Sequence, residues 1–132
     1  MALNYYKNEL KENAQLLASK GKGILAVDES TKTVGKRLAG IGVENTEENR
    51  KAYRGMLFTT EGLGKFISGA ILFEETLYQT HQDGESMVKK LNDLGIIPGI
   101  KVDKGLNPLP GGGDVETFCS GLDGLVERAA KY

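Results

Sequence analysis

Three short apolar runs that end in charged residues constrain this chain more than any other feature. They are Gly23-Ile24-Leu25-Ala26-Val27-Asp28, Ala70-Ile71-Leu72-Phe73-Glu74-Glu75 and Gly99-Ile100-Lys101-Val102-Asp103-Lys104. Apolar runs of this length, separated by helix-period segments, read as buried parallel strands in βαβ units. Open α/β sheets and α/β barrels both carry their chemistry at the carboxyl ends of such strands. The three charged ends therefore converge on one side of one sheet, as an active-site floor would. The expected fold class is α/β.

At 132 residues the chain suits one domain and is too short for two. An apolar fraction of 39% and a charged fraction of 27% fit a globular chain and argue against disorder. A formal net charge of −1 supplies no long-range field for nucleic acid or an acidic membrane. The lone Cys119 excludes an internal disulfide and points to a reducing compartment. His81 and Cys119, each the sole residue of its type, cannot build a zinc site, so no metal is expected. No apolar stretch approaches the roughly 20 residues that span a bilayer, and no secretory signal pattern precedes the first helix.

Leu10, Ala14 and Leu17 share a helical face, which predicts a helix from about 4 to 19 stopped by Gly21. A first strand follows at 23–28 and a short helix at 33–39, ending near Gly40. Asn45, with Glu48 three residues on, reads as a capping box for a helix that buries Tyr53, Met56 and Leu57. A second strand is expected near 69–74. Ser86 caps a helix through Leu94 with Gly95 at its end. A third strand is expected near 97–103, then a loop over 105–120 rich in Pro and Gly. A last helix from about Gly121 buries Leu122, Leu125, Val126 and Ala129. It reaches Tyr132 with no closing Gly and no strand after it. Three parallel strands have two unpaired edges, which favours the first part of a larger closed barrel over a small open domain. The expectation is thus a single incomplete domain over 1–132.

The two-residue period places Ile24, Ala26 and Asp28 on one face of the first strand. Asp28 there either serves as acid, base or hydroxyl ligand, or caps the following helix. Glu29-Ser30-Thr31-Lys32-Thr33, followed by Lys36 and Arg37, sets hydroxyls and cations at a helix start. That pattern suits a phosphate, although a capped, solvated amphipathic helix explains it too, and the P-loop spacing is absent. On the third strand Lys101 shares a face with Gly99 and Asp103. An ammonium in so apolar a strand needs a partner, with Asp103 and Asp28 as candidates. Such a lysine binds a phosphate or forms a Schiff base. Of Glu74 and Glu75, one should face in and one out, with salt bridging or capping as the ordinary use.

Gly23-Ile24-Leu25-Ala26-Val27-Asp28-Glu29-Ser30-Thr31 resembles the first barrel strand of class I fructose-bisphosphate aldolases. So do Glu44-Asn45-Thr46-Glu47-Glu48-Asn49-Arg50, Ile71-Leu72-Phe73-Glu74-Glu75-Thr76-Leu77-Tyr78-Gln79, Gly99-Ile100-Lys101-Val102-Asp103-Lys104-Gly105 and Gly121-Leu122-Asp123-Gly124-Leu125. Several long matches in order, from about residue 5 onward, are specific. The resemblance implies the N-terminal part of a (β/α)8 barrel, about three of its eight strands. It also implies reversible, metal-free and cofactor-free cleavage of fructose 1,6-bisphosphate to dihydroxyacetone phosphate and glyceraldehyde 3-phosphate through a lysine Schiff base.

Residue by residue, the resemblance makes Asp28 the acidic group beside the Schiff-base lysine, and Ser30 and Lys101 ligands of the substrate's 6-phosphate. Thr33 stands where the family often has Ser. Lys36 and Arg37 are substrate-binding cations, and Arg50 occupies a position sometimes linked to phosphate. Asp103 and Glu29 are supporting residues. Glu74 stands where animal members have histidine, which aligns the chain with plant and algal enzymes. Lys101 is then a phosphate ligand, since the family's Schiff-base lysine lies on a later strand, beyond Tyr132. The chain alone is therefore expected to be inactive. The implied partner is a sugar phosphate, with neither nucleic acid nor membrane, in a homo-tetramer of the cytoplasm or plastid stroma. The alternative is a small independent phosphate-binding module, or a truncated subunit that docks on partners without catalysis.

Overall fold

The computed structural model describes residues 2–132, which form two compact units, one running to Ile100 and the other covering Lys101–Tyr132. In the first unit, α1 (Ala2–Tyr5) and α2 (Lys7–Leu17) are separate helices with Tyr6 between them. The expected long helix is therefore broken, and its apolar stripe stays largely outside, with Leu10 exposed and Leu17 half-buried. Leu17 is the useful end. It lies where a side chain on Gly69 would sit, and its carbonyl accepts from Ser68 Oγ at 2.7 Å.

Next come β1 (Gly23–Val27), α3 (Thr31–Ala39), α4 (Glu47–Phe58), α5 (Leu63–Phe66), β2 (Ile67–Leu72), α6 (Glu74–Leu77), α7 (Met87–Asp93) and β3 (Ile97–Ile100). The β2 run begins two residues earlier than the hydropathy suggests, and β3 ends at Ile100. Lys101 therefore follows the strand and is not part of it. At α4 the cap is Thr46, whose hydroxyl accepts from Asn49 N at 3.1 Å. Asn45 instead reaches back, donating from Nδ2 to the Thr31 carbonyl at 3.2 Å. Ser86 caps α7 as expected, accepting from Lys89 N at 3.1 Å. Gly95 turns the chain out of that helix at φ +68°, a conformation that favours glycine.

The sheet order is β1-β2-β3, all parallel, with Val27 beside Leu72 and Leu72 beside Ile100. Val27, Ala70 and Leu72 point to one face, where Phe58 of α4, Met87 and Leu91 of α7 and Ile96 complete the core. On the opposite face, Ile24 is 53% exposed and lines a shallow apolar groove with Leu17, Ile71 and Ile97. The core helices α4 and α7 cover the first of these faces.

Close approach also limits α5. A Cβ on Gly64 would strike the carbonyl oxygen of Leu94, a backbone atom that cannot rotate aside. Gly64→Ala is expected to cost about 1–3 kcal/mol, as overpacking does. Urea denaturation checks this, with an unchanged midpoint as the contrary result.

In the second unit, β4 (Leu106–Pro108) and β5 (Thr117–Cys119) pair antiparallel, where the composition reads as loop. The final helix is α8 (Leu125–Lys131). Its expected buried face is not buried: Leu122 and Val126 are exposed, and Leu125 is half-buried. Polar contacts anchor it instead, with Arg128 donating to the Val102 carbonyl at 3.1 Å and to the Gly121 carbonyl at 2.5 Å.

Candidate functional site

The carboxyl end of β1 runs into Asp28-Glu29-Ser30, and Ser30 is the N-cap of α3. Its hydroxyl accepts from Thr33 N at 3.4 Å and lies 3.2 Å from Thr33 Oγ1. The cap arises because Ser30 holds an extended backbone (φ −59°, ψ 159°) just before the first helical turn. Val34 and Leu38 bury one face of α3, which turns Thr33, Lys36 and Arg37 outward together. Two hydroxyls and the positive end of a nine-residue helix thus share one edge, which Arg37 reaches from the last turn through Glu29, while Lys36 is exposed in that last turn.

Glu29 joins this edge to the interior. Its side chain is 12% exposed, and its Oε1 lies 2.8 Å from Arg37 Nη1. Arg37 also donates to Tyr53 Oη at 3.1 Å, while 57% of its side chain faces solvent. The Glu29 carbonyl accepts from Arg54 Nη2 at 2.6 Å. Arg54 is fully buried on α4, its guanidinium 5.5 Å from the centre of the Phe73 ring. Burial holds Arg54 below the ordinary arginine range, against the opposing pull of Glu75 and Glu29.

Arg50 is one turn earlier on the same helix and only 8% exposed. Its Nε and Nη2 fork onto the Glu75 carboxylate, with the shortest contact 2.7 Å, and its Nη1 donates to Asn45 Oδ1 at 3.0 Å. The hydrogen bonds to Glu75 raise the Arg50 pKa, and burial opposes them. Glu75 sits in α6, just after β2, inside the network, while Glu74 is exposed. The pair thus divides as expected, one inward and one outward, and the inward member makes a salt bridge. Asp28 is half-buried at the end of the β1 face that carries Ile24 and Ala26.

Lys101 and Asp103 lie in the second unit. Lys101 Nζ is 2.5 Å from Asp103 Oδ1, and Asp103 Oδ2 accepts from Gly105 N at 3.0 Å. The Lys101 ammonium and the Gly105 amide hold the Asp103 carboxyl below the usual carboxylate range. Of the two partners expected for Lys101, Asp103 is one. Among the described residues, no group of three or more His, Cys, Asp or Glu side chains is arranged to hold a metal. No helix is long and apolar enough to cross a membrane.

The structure therefore gathers Glu29, Ser30, Thr33 and Arg37 at one edge and leaves Lys36 exposed in the last turn of α3. Arg50 is placed behind that edge on Glu75. Sequence reasoning missed Arg54, although a signal was present: Arg50, Arg54 and Phe58 recur every four residues, as one helical face does. An apolar-only pattern skips the two arginines and selects Met56, which is exposed.

The family model for class I fructose-bisphosphate aldolase matches residues 9–132. The chain belongs to this aldolase family. It is 60% identical over 127 residues to the chloroplastic fructose-bisphosphate aldolase 3 of Arabidopsis thaliana, covering 96% of this chain and 32% of that relative. It is 61% identical to the chloroplastic aldolase of Spinacia oleracea, with the same coverages. A co-crystal structure of the Plasmodium falciparum aldolase, in complex with TRAP and a small molecule inhibitor, superposes with a TM-score of 0.91 at 58% identity. It covers 95% of this chain and 36% of that one. The aldolase chain thus spans about a third of the length of the relatives it matches. Its three parallel strands and helices are consistent with part of a (β/α)8 barrel.

Proposed function

We propose that the β1–α3 edge is a phosphate grip of a class I aldolase site, which takes part in reversible cleavage of fructose 1,6-bisphosphate to dihydroxyacetone phosphate and glyceraldehyde 3-phosphate. The observation that supports this reading most is the Ser30 cap. It places a hydroxyl, the start of a nine-residue helix and the outward Thr33 and Arg37 at the carboxyl end of a parallel strand. Oriented donors and a helix start bind an oxyanion well. In this reading Ser30 and Thr33 donate to phosphate oxygens, and Arg37 and Lys36 supply charge. Asp28, one residue past β1, handles protons and orients substrate hydroxyls. Lys101 takes the phosphate-binding role that the resemblance gives it, with Asp103 holding its ammonium.

Arg50 supports the site from behind, since its donors already engage Glu75 and Asn45. The family needs no metal or cofactor for this chemistry, and none is assigned. By analogy with the chloroplastic relatives the reading places the aldolase in the plastid stroma, with the cytoplasm as the alternative, and makes it a homo-oligomer, expected to be a tetramer.

The test is an amide-resolved titration of the 132-residue chain with fructose 1,6-bisphosphate. Saturable shifts are expected at Ser30–Val34, weakened at least tenfold in Arg37→Ala. Shifts elsewhere only, or an Arg37→Ala titration identical to that of the unmodified chain, would overturn the assignment.

A further inference from the structure

We propose that Arg54 is a positioning residue for the phosphate-binding loop, acting through Glu29. The inference rests on the phosphate-site reading above and adds a residue that makes no contact with the ligand itself. Arg54 is fully buried on α4, yet its Nε and Nη1 find no hydrogen-bond partner. The nearest charge to Nη1 is Glu75 Oε1, at 3.7 Å, too long for a hydrogen bond. A buried cation so incompletely satisfied is an expensive way to fill a core, and an apolar side chain of similar volume often serves stability as well or better. What the guanidinium does secure is the Glu29 carbonyl, at 2.6 Å.

That carbonyl is one residue before the Ser30 cap. The same residue sends its carboxylate to Arg37 at 2.8 Å. Glu29 is thus held at both ends, by Arg54 on its backbone and by Arg37 on its side chain. The peptide that presents Ser30 and the cation that faces solvent are set by one intermediate residue. Removing Arg54 erases the backbone tether of Glu29.

The chain itself, with inorganic phosphate and fructose 1,6-bisphosphate as probes, provides the test. Arg54→Met keeps most of the volume and removes the donor. Its amide spectrum should retain the dispersion of β2 and α7. Its Thr33 and Val34 amides, which close the first turn of α3 on Ser30, should exchange at least tenfold faster, and phosphate should bind at least tenfold more weakly. Arg54→Lys, or millimolar methylguanidinium added to Arg54→Met, should restore part of both. A merely structural role predicts uniform loss of protection without rescue.

Unchanged exchange at Thr33 and Val34 overturns the inference whether or not phosphate binds. So does unchanged phosphate affinity in a variant with altered exchange. If Arg54→Met does not fold, Glu29→Gln decides. It leaves the backbone tether and loosens Arg37, so phosphate affinity should fall while Val34 exchange stays normal. An unaltered Glu29→Gln titration counts against the coupling. If the unmodified chain binds neither probe, the phosphate-site reading fails first. The exchange comparison then still decides whether Arg54 orders the loop.

Discussion

Glu75→Ala is expected to destabilise the first unit by about 3–5 kcal/mol, the usual cost of removing one partner from a buried ion pair. Glu75 accepts a forked pair of hydrogen bonds from Arg50 and is the nearest counter-charge to Arg54 Nη1. With Arg50 at 10% and Glu75 at 18% side-chain exposure, solvent cannot stand in for the lost carboxylate. The substitution leaves two buried guanidinium groups without it, in a domain whose whole stability is on the order of 5–15 kcal/mol. Glu75→Gln, which keeps the shape and one acceptor, should cost less. The double change Glu75→Leu with Arg50→Met should recover much of the loss, because a buried pair is more costly to break than to replace. The exposed Lys89–Asp93 pair supplies the contrast, since its removal should leave stability nearly unchanged. Urea unfolding of all four variants checks the order. A Glu75→Ala loss no larger than that of the exposed pair would show that the arginines find other partners.

The parts of the fold that were legible in the sequence share a local cause. Gly23–Val27 is apolar and bounded by Gly and Asp, so periodicity and punctuation agree. Ser86 and Gly95 mark both ends of α7 because each acts through its own backbone neighbourhood. The failures involve residues whose partners are distant in sequence. Asn45 and Thr46 are both good caps by type. What separates them is the carbonyl of Thr31, 14 residues away, which engages the Asn45 side chain and leaves the cap to Thr46. Lys101 reads as a strand residue because Val102 follows it, but pairing stops at Ile100. The β4–β5 hairpin has short strands around a glycine-rich turn, and no alternating pattern announces it. Within the site, Ser30, Thr33 and Arg37 are visible as a group because one short helix and its cap carry them. Arg54 is not, since its meaning depends on a carbonyl 25 residues away and on a helical face that hydropathy alone rejects.

No lysine of the 132-residue chain is expected to form a Schiff base, so incubation with dihydroxyacetone phosphate and borohydride should leave its mass unchanged. Imine formation needs a neutral amine, which an enzyme obtains by lowering a lysine's pKa through desolvation or a neighbouring cation. The displaced lysines here move the other way. Lys89 is raised by hydrogen bonds to Asp93 and Glu85, and Lys90 by one to Asp83. The Lys101 ammonium stands 2.5 Å from the Asp103 carboxylate, and attack on a carbonyl would require it to surrender that pair. Its surroundings suit a fixed cation, which a phosphate needs, better than a nucleophile. Turnover of fructose 1,6-bisphosphate by this polypeptide should accordingly be absent, while phosphate-dependent shifts at Ser30–Val34 persist. Binding and covalent chemistry are then separable in one sample. An intact-mass increase matching one reduced dihydroxyacetone phosphate, localised to Lys101 by peptide mapping, would reverse the assignment and make that residue the nucleophile.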